Sequence, residues 1–131
     1  MHSLRVFWAV AMAACWLWPA AAEVNSSGRE LFEKRCGGCH ALDSTKAGPP
    51  LRAAFRRRAA SDAAFPYSDA LRKSGLVWDE ATLERWLADP EVLVPNNDMA
   101  FRLMRTDERA AVISYLKQLS SERPADKRQP H

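Results

Sequence analysis

Cys36-Gly37-Gly38-Cys39-His40 is the stretch on which the reading of the whole chain turns. Two thiols separated by two residues and followed at once by an imidazole form the attachment pattern of haem c. The spacing has a chemical reason. Each thiol adds across one vinyl group of the porphyrin, and the next residue is then close enough to set a ring nitrogen on the iron. One short turn thus fixes the macrocycle at three points, and the motif implies one covalently attached haem c with its iron.

Two other chemistries compete for the same residues. A zinc site takes four protein ligands, or three and a water. Here the cysteine pair and His40 are joined only by the terminal His131, so the ligands run out. A thioredoxin-like dithiol opens a helix behind a strand in a βαβ unit, and nothing before Cys36 reads as a strand.

Working outward to the N-terminus, Met1-His2-Ser3-Leu4-Arg5 is a short basic start, Val6 to Trp18 is apolar, and Ala20-Ala21-Ala22 offers small residues for cleavage. That is the pattern of a secretory signal peptide over residues 1–22, cut before Glu23. The apolar run is shorter than the roughly 20 residues a bilayer span requires. An alternative uses Cys15, which follows Met12-Ala13-Ala14 as in a lipoprotein processing box; Trp16, Leu17 and Trp18 continue the apolar run beyond it. Export places the mature chain in the periplasm, with no membrane span after processing.

The 131 residues suffice for one domain, expected over residues 23–120 with a polar, flexible tail over 121–131. Nineteen basic against 16 acidic residues give a formal charge of +3, and losing Arg5 brings the chain closer to balance. Neither this balance nor the short run Arg56-Arg57-Arg58, which has no interleaved aromatic platform, points to nucleic acid.

The pattern of caps and apolar spacing predicts an all-α chain. Ser27-Gly28-Arg29-Glu30 reads as a capping box starting a helix near Gly28, which presents Leu31 and Phe32 and ends at Gly37 and Gly38. Leu51 to Ala60 reads as loop or irregular helix after Gly48-Pro49-Pro50. Ser68 caps a short helix closed by Gly75, and Asp79 opens a helix that Pro90 stops. Thr106 caps a last helix from about Asp107 to Leu119, with Asp107 and Glu108 at the positive end of its dipole.

An iron that passes electrons without binding small molecules needs a sixth ligand. Outside the signal peptide, the thioethers are Met99 and Met104. Met99 sits in Val94-Pro95-Asn96-Asn97-Asp98-Met99-Ala100-Phe101, an extended loop able to present a side chain, whereas Met104 lies near the last helix and is expected to pack. Met99 is therefore the expected second axial ligand.

From Gly28 to Leu119 the chain resembles the class I cytochromes c of mitochondria and bacteria. The resemblance is carried by Gly28 and Phe32, Cys36 to His40, Gly48-Pro49 with Leu51, Tyr67-Ser68-Asp69-Ala70, Gly75 with Trp78, Leu87 with Pro90, Pro95, Met99-Ala100-Phe101, and Arg109-Ala110 with Tyr115-Leu116. It implies the cytochrome c fold: four to five short helices wrapped around one covalently bound haem. It further implies that Gly28 and Phe32 pack on Val112 and Tyr115, and that Pro49 accepts the second ring N–H of His40. Arg57, Tyr67 and Trp78 would reach the propionates, Asn97 would also donate to one, and Phe101 would cover the porphyrin beside Met99.

The chain departs from that family at Asn96-Asn97-Asp98, where glycine, threonine and lysine are common, and at Leu71 and Trp86, where asparagine and tyrosine are frequent. The last two make the pocket drier, which disfavours the ferric charge and raises the potential. Glu91 and Asp98 stand where lysines dock acidic partners in well-known members, while Lys46, Arg102 and Arg105 are expected to keep part of the edge positive. The function implied is that of a monomeric carrier of single electrons between redox proteins: a dehydrogenase, a reductase or a terminal oxidase. A fixed subunit of a periplasmic dehydrogenase is one alternative, and a haem enzyme or gas sensor with Met99 detached is another.

Overall fold

In the computed structural model, residues 20–122 are described, with side chains from residue 27 onward. Five helices follow in order: α1 (Ala20–Arg35), α2 (Asp69–Lys73), α3 (Glu80–Ala88), α4 (Pro90–Leu93) and α5 (Thr106–Ser121). Among the described residues there is no strand beyond one isolated antiparallel bridge, Arg58 with Val77. The all-α expectation holds.

The two long helices cross where a side chain is missing. A Cβ on Gly28 would stand 2.5 Å from the Ala111 carbonyl oxygen and 3.0 Å from the Tyr115 Cβ, so only glycine admits this approach of α1 to α5. One turn on, Phe32 meets Tyr115 with ring centroids 5.7 Å apart. Buried Val112, Ile113, Leu116 and Leu119 of α5 join Leu83, Trp86 and Leu87 of α3 in one apolar core.

Local chemistry explains most helix boundaries. The Ser68 hydroxyl accepts from Leu71 N at 3.2 Å to open α2, and Gly75 leaves it at φ +66°. Asp79 accepts from Thr82 N at 2.8 Å to open α3.

Three boundaries differ from the sequence reading. Helix α1 begins at Ala20, so Ser27 lies inside it and the capping box does not form its start. Alanines and Glu23 are strong helix formers, and no proline or glycine intervenes before Gly28. The expected cleavage before Glu23 falls within α1, while residues 1–19 of the expected signal peptide and 123–131 of the expected tail lie outside the described residues. Pro90 both stops α3 and starts α4, because Asp89 caps α4 by accepting from Glu91 N and Val92 N, and proline suits the first helical position. Finally, α5 starts at Thr106 with no side-chain cap and runs to Ser121; the Thr106 hydroxyl accepts from Arg109 Nη2 at 3.0 Å instead.

The long segment between α1 and α2 is held by backbone pairing. Gly48 N, Leu51 N and Arg52 N donate to the carbonyls of Cys39, Ala41 and Leu42, folding 48–52 back on the end of α1. Arg56 N donates to Trp78 O, Trp78 N to Arg57 O and Ala59 N to Leu76 O, fastening 56–59 to 76–78. Arg56 and Ala60 take positive φ angles of 66° and 55° to make this ladder.

Candidate functional site

The Cys36–His40 stretch is the turn that ends α1. Cys36 N and Gly37 N both donate to Phe32 O, and Cys39 N and His40 N both donate to Cys36 O. Cys36 faces the core and Cys39 is exposed. Burial, and then the neighbouring Cys39, push the Cys36 thiol up to about 11, so it is protonated at neutral pH.

His40 is gripped from two sides. Its Nδ1 lies 2.9 Å from the Pro49 carbonyl oxygen. A carbonyl can only accept, so this contact puts the ring proton on Nδ1 and leaves the Nε2 lone pair free for a metal. Behind the ring, the Nε2 would lie 2.8 Å from a Cβ on Gly48, and other ring atoms closer still. Glycine at 48 is therefore the condition for this pose of the imidazole.

These groups open onto a cavity of about 420 Å³, a size common for cofactor sites. Its walls gather Cys36, Cys39, His40, Pro49, Arg57, Tyr67, Trp78, Met99 and Phe101 from all along the chain. Leu71, Leu83, Trp86, Leu87, Val112 and Leu116 make much of the remainder apolar. Trp78 and Trp86 tilt against each other with centroids 5.2 Å apart. Burial, and then the charge of Asp62, raise the Tyr67 hydroxyl above its ordinary value, which keeps it a neutral donor. Among the described residues no three His, Cys, Asp or Glu side chains converge to hold a metal by themselves.

Some expected residues are placed elsewhere. Asn97 does not line the cavity: its Nδ2 donates to Val94 O at 2.9 Å and to Glu91 Oε2 at 3.2 Å, and its Oδ1 accepts from Met99 N at 2.7 Å. Both contacts of its amide nitrogen lie within residues 91–94. Met104 does not pack but is 76% exposed, and its backbone carbonyl accepts from Arg109. Of the cations expected to make the edge positive, Arg102 pairs with Asp89 and Arg105 with Asp107, whereas Lys46 donates to the neutral Gly37 carbonyl and keeps its charge. Conversely, Arg58 and Phe65 also line the cavity. Sequence carried no periodic signal for them, because both lie in the irregular segment between α1 and α2.

The model of the family described as cytochrome c matches residues 26–120. This chain belongs to the cytochrome c family. It is 45% identical over 87 residues to cytochrome c2 iso-2 of Magnetospirillum fulvum, covering 64% of this chain and 91% of the relative. It is 32% identical over 108 residues to cytochrome c2 of Blastochloris viridis, covering 79% and 84%. The solved structure of cytochrome cH from Methylobacterium extorquens superposes with a TM-score of 0.67 at 36% identity, over 72% of this chain and 97% of that one. The fold is thus the cytochrome c fold. Members of this family are electron carriers rather than enzymes, and their cofactor is covalently attached haem c with its iron. The donor set suits that group: two thiols, an imidazole with a free Nε2 and a thioether border one largely apolar cavity.

Proposed function

We propose that this cytochrome is an exported carrier that passes single electrons between larger redox proteins by outer-sphere transfer, with His40 and Met99 as axial ligands. The observation that carries the reading is that one cavity is lined by Cys36, Cys39, His40 and Met99 together, with His40 Nδ1 engaged by Pro49. Bound haem iron supplies the one-electron change between ferric and ferrous states. Everything else is supplied by the chain.

Cys36 and Cys39 hold the porphyrin through thioether bonds. Pro49 fixes the His40 tautomer and strengthens the imidazole as a donor. Met99 would be the second ligand, and a thioether, compared with a second imidazole, would favour the ferrous state and raise the potential. His40 and Met99 together would leave no site on the iron for oxygen or a substrate. Arg57, Tyr67 and Trp78 hold the propionates, with Arg57 offsetting their charge. Leu71 and Trp86 exclude water from the Met99 side.

Periplasmic residence is supported by the basic and apolar N-terminal segment and by the bacterial relatives. No helix among the described residues is long and apolar enough to cross a membrane. The partners are redox proteins.

Carbon monoxide tests the ligation. The reduced holoprotein is expected to bind it poorly at neutral pH and the Met99→Ala variant readily. Ready binding by the unaltered protein would support an enzyme or gas sensor instead.

A further inference from the structure

Polar contacts grip the Met99 loop from both sides and end on the same short helix. Upstream, Met99 N donates to Asn97 Oδ1 at 2.7 Å, and Asn97 Nδ2 donates to Glu91 Oε2 at 3.2 Å and to Val94 O at 2.9 Å. The Glu91 carboxylate also accepts from Asn96 N, at 3.0 Å from Oε1 and 3.2 Å from Oε2. Asn96 is left-handed, at φ +63°, so this contact secures a backbone conformation that side chains disfavour. Glu91 belongs to α4, whose start is fixed by Asp89 Oδ1. Downstream, Arg102 Nη2 lies 3.0 Å from Asp89 Oδ2. The path from Asp89 through α4, Glu91, Asn97, Met99 and Arg102 therefore closes on itself.

We propose that this ring is a clasp that holds Met99 toward the iron, with Asn97 as its positioning residue and Glu91 as its anchor. The inference rests on the reading of Met99 as an axial ligand. Asn97 acts through the backbone of Met99: its Oδ1 fixes the amide from which the side chain departs, and its Nδ2 ties that point to α4. Without the amide, Met99 N would turn to water and the thioether would leave the iron more often. The acceptor, rather than the bulk of the residue, is the working part.

The test is the displacement of Met99 from the ferric holoprotein by imidazole, followed by absorption. At saturating imidazole the rate levels off at the rate of Met99 departure. Asn97→Ala is expected to raise that plateau roughly tenfold, the scale of one lost hydrogen bond. Asn97→Thr, whose hydroxyl still accepts but which has lost the Nδ2 tie to Glu91 and Val94, should fall between Asn97→Ala and the unaltered protein, whereas Val92→Ala, at a residue 78% exposed, should stay near the unaltered rate. Glu91→Gln, which keeps an acceptor for Asn96, should be intermediate and provides a milder variant if Asn97→Ala folds poorly. Hydrogen exchange of the Met99 amide should accelerate in Asn97→Ala. An unchanged plateau in Asn97→Ala, or equal acceleration in Asn97→Ala and Asn97→Thr, would overturn the clasp. Met99→Ala separates the two ideas: if it lacks the slow plateau, Met99 is the ligand whatever Asn97 does; if its exchange matches the unaltered protein, the ligand assignment itself fails.

Discussion

The imidazole of His40 is fixed between the Pro49 carbonyl, 2.9 Å from Nδ1, and the bare backbone of Gly48. Two consecutive residues of one loop thus set the ring's proton and its plane. Because Gly48 N also donates to Cys39 O at 2.7 Å, the loop cannot withdraw without disturbing the attachment turn.

Gly48→Ala should accordingly be damaging although it adds one methyl group. The new Cβ would overlap the ring, and overpacking of this kind costs roughly 1–3 kcal/mol. Denaturant unfolding of the holoprotein should show the loss, with a changed absorption spectrum as His40 tilts. Unaltered stability and spectrum would mean that the loop gives way freely.

Arg109 should be a second point of fragility, remote from the chemistry. This 9% exposed residue donates to Glu84 at 2.7 Å, to Leu103 O and Met104 O at 2.8 Å each, and to Thr106 Oγ1 at 3.0 Å. Arg109→Ala would strand those acceptors at a cost of roughly 3 kcal/mol. Arg109→Lys should recover little, since an ammonium lacks the planar fork. Unfolding free energies of the two variants check this.

Leu71 lines the cavity and is buried, with Trp86 nearby in the same core. Leu71→Asn would add a dipole able to favour the ferric charge, an interaction of about 1 kcal/mol. For a one-electron couple that is on the order of 40 mV. The measured potential should fall, and a rise would contradict the dry-pocket explanation.

Asp79 should contribute to acid sensitivity. Its carboxylate accepts from the Thr82 backbone, which holds its pKa below the usual 3.8. A depressed folded-state pKa gives stability that is present above the unfolded value and is lost as pH falls through the folded one. Asp79→Asn keeps an acceptor but does not titrate, so its unfolding midpoint should decline less steeply than that of the unaltered protein below about pH 4. Parallel declines would assign the effect to other carboxylates.

Much of this arrangement was legible because it rests on local chemistry. Ser68 and Asp79 announce α2 and α3 through their hydroxyl and carboxylate, and the Cys36–His40 spacing announces the cofactor. Less legible were features in which one residue does two things. Pro90 ends one helix and begins another, a dual role that depends on the Asp89 cap. Asn97, expected to donate to a propionate, also bonds to Glu91, Val94 and the Met99 amide, contacts that depend on how α4 and the loop meet. The Arg56–Ala59 ladder has no alternation of polar and apolar residues, and only its backbone partners at 76–78 reveal it.

A porphyrin bound in this cavity would have Met99 against its face. Proton NMR of the reduced holoprotein, labelled at the methionine methyl groups, tests it most directly. Ring current shields a methyl held over a porphyrin, so one methionine methyl should move far upfield and vanish in Met99→Ala, while that of exposed Met104 stays at its ordinary position. Ordinary shifts for both methyl groups would contradict the account.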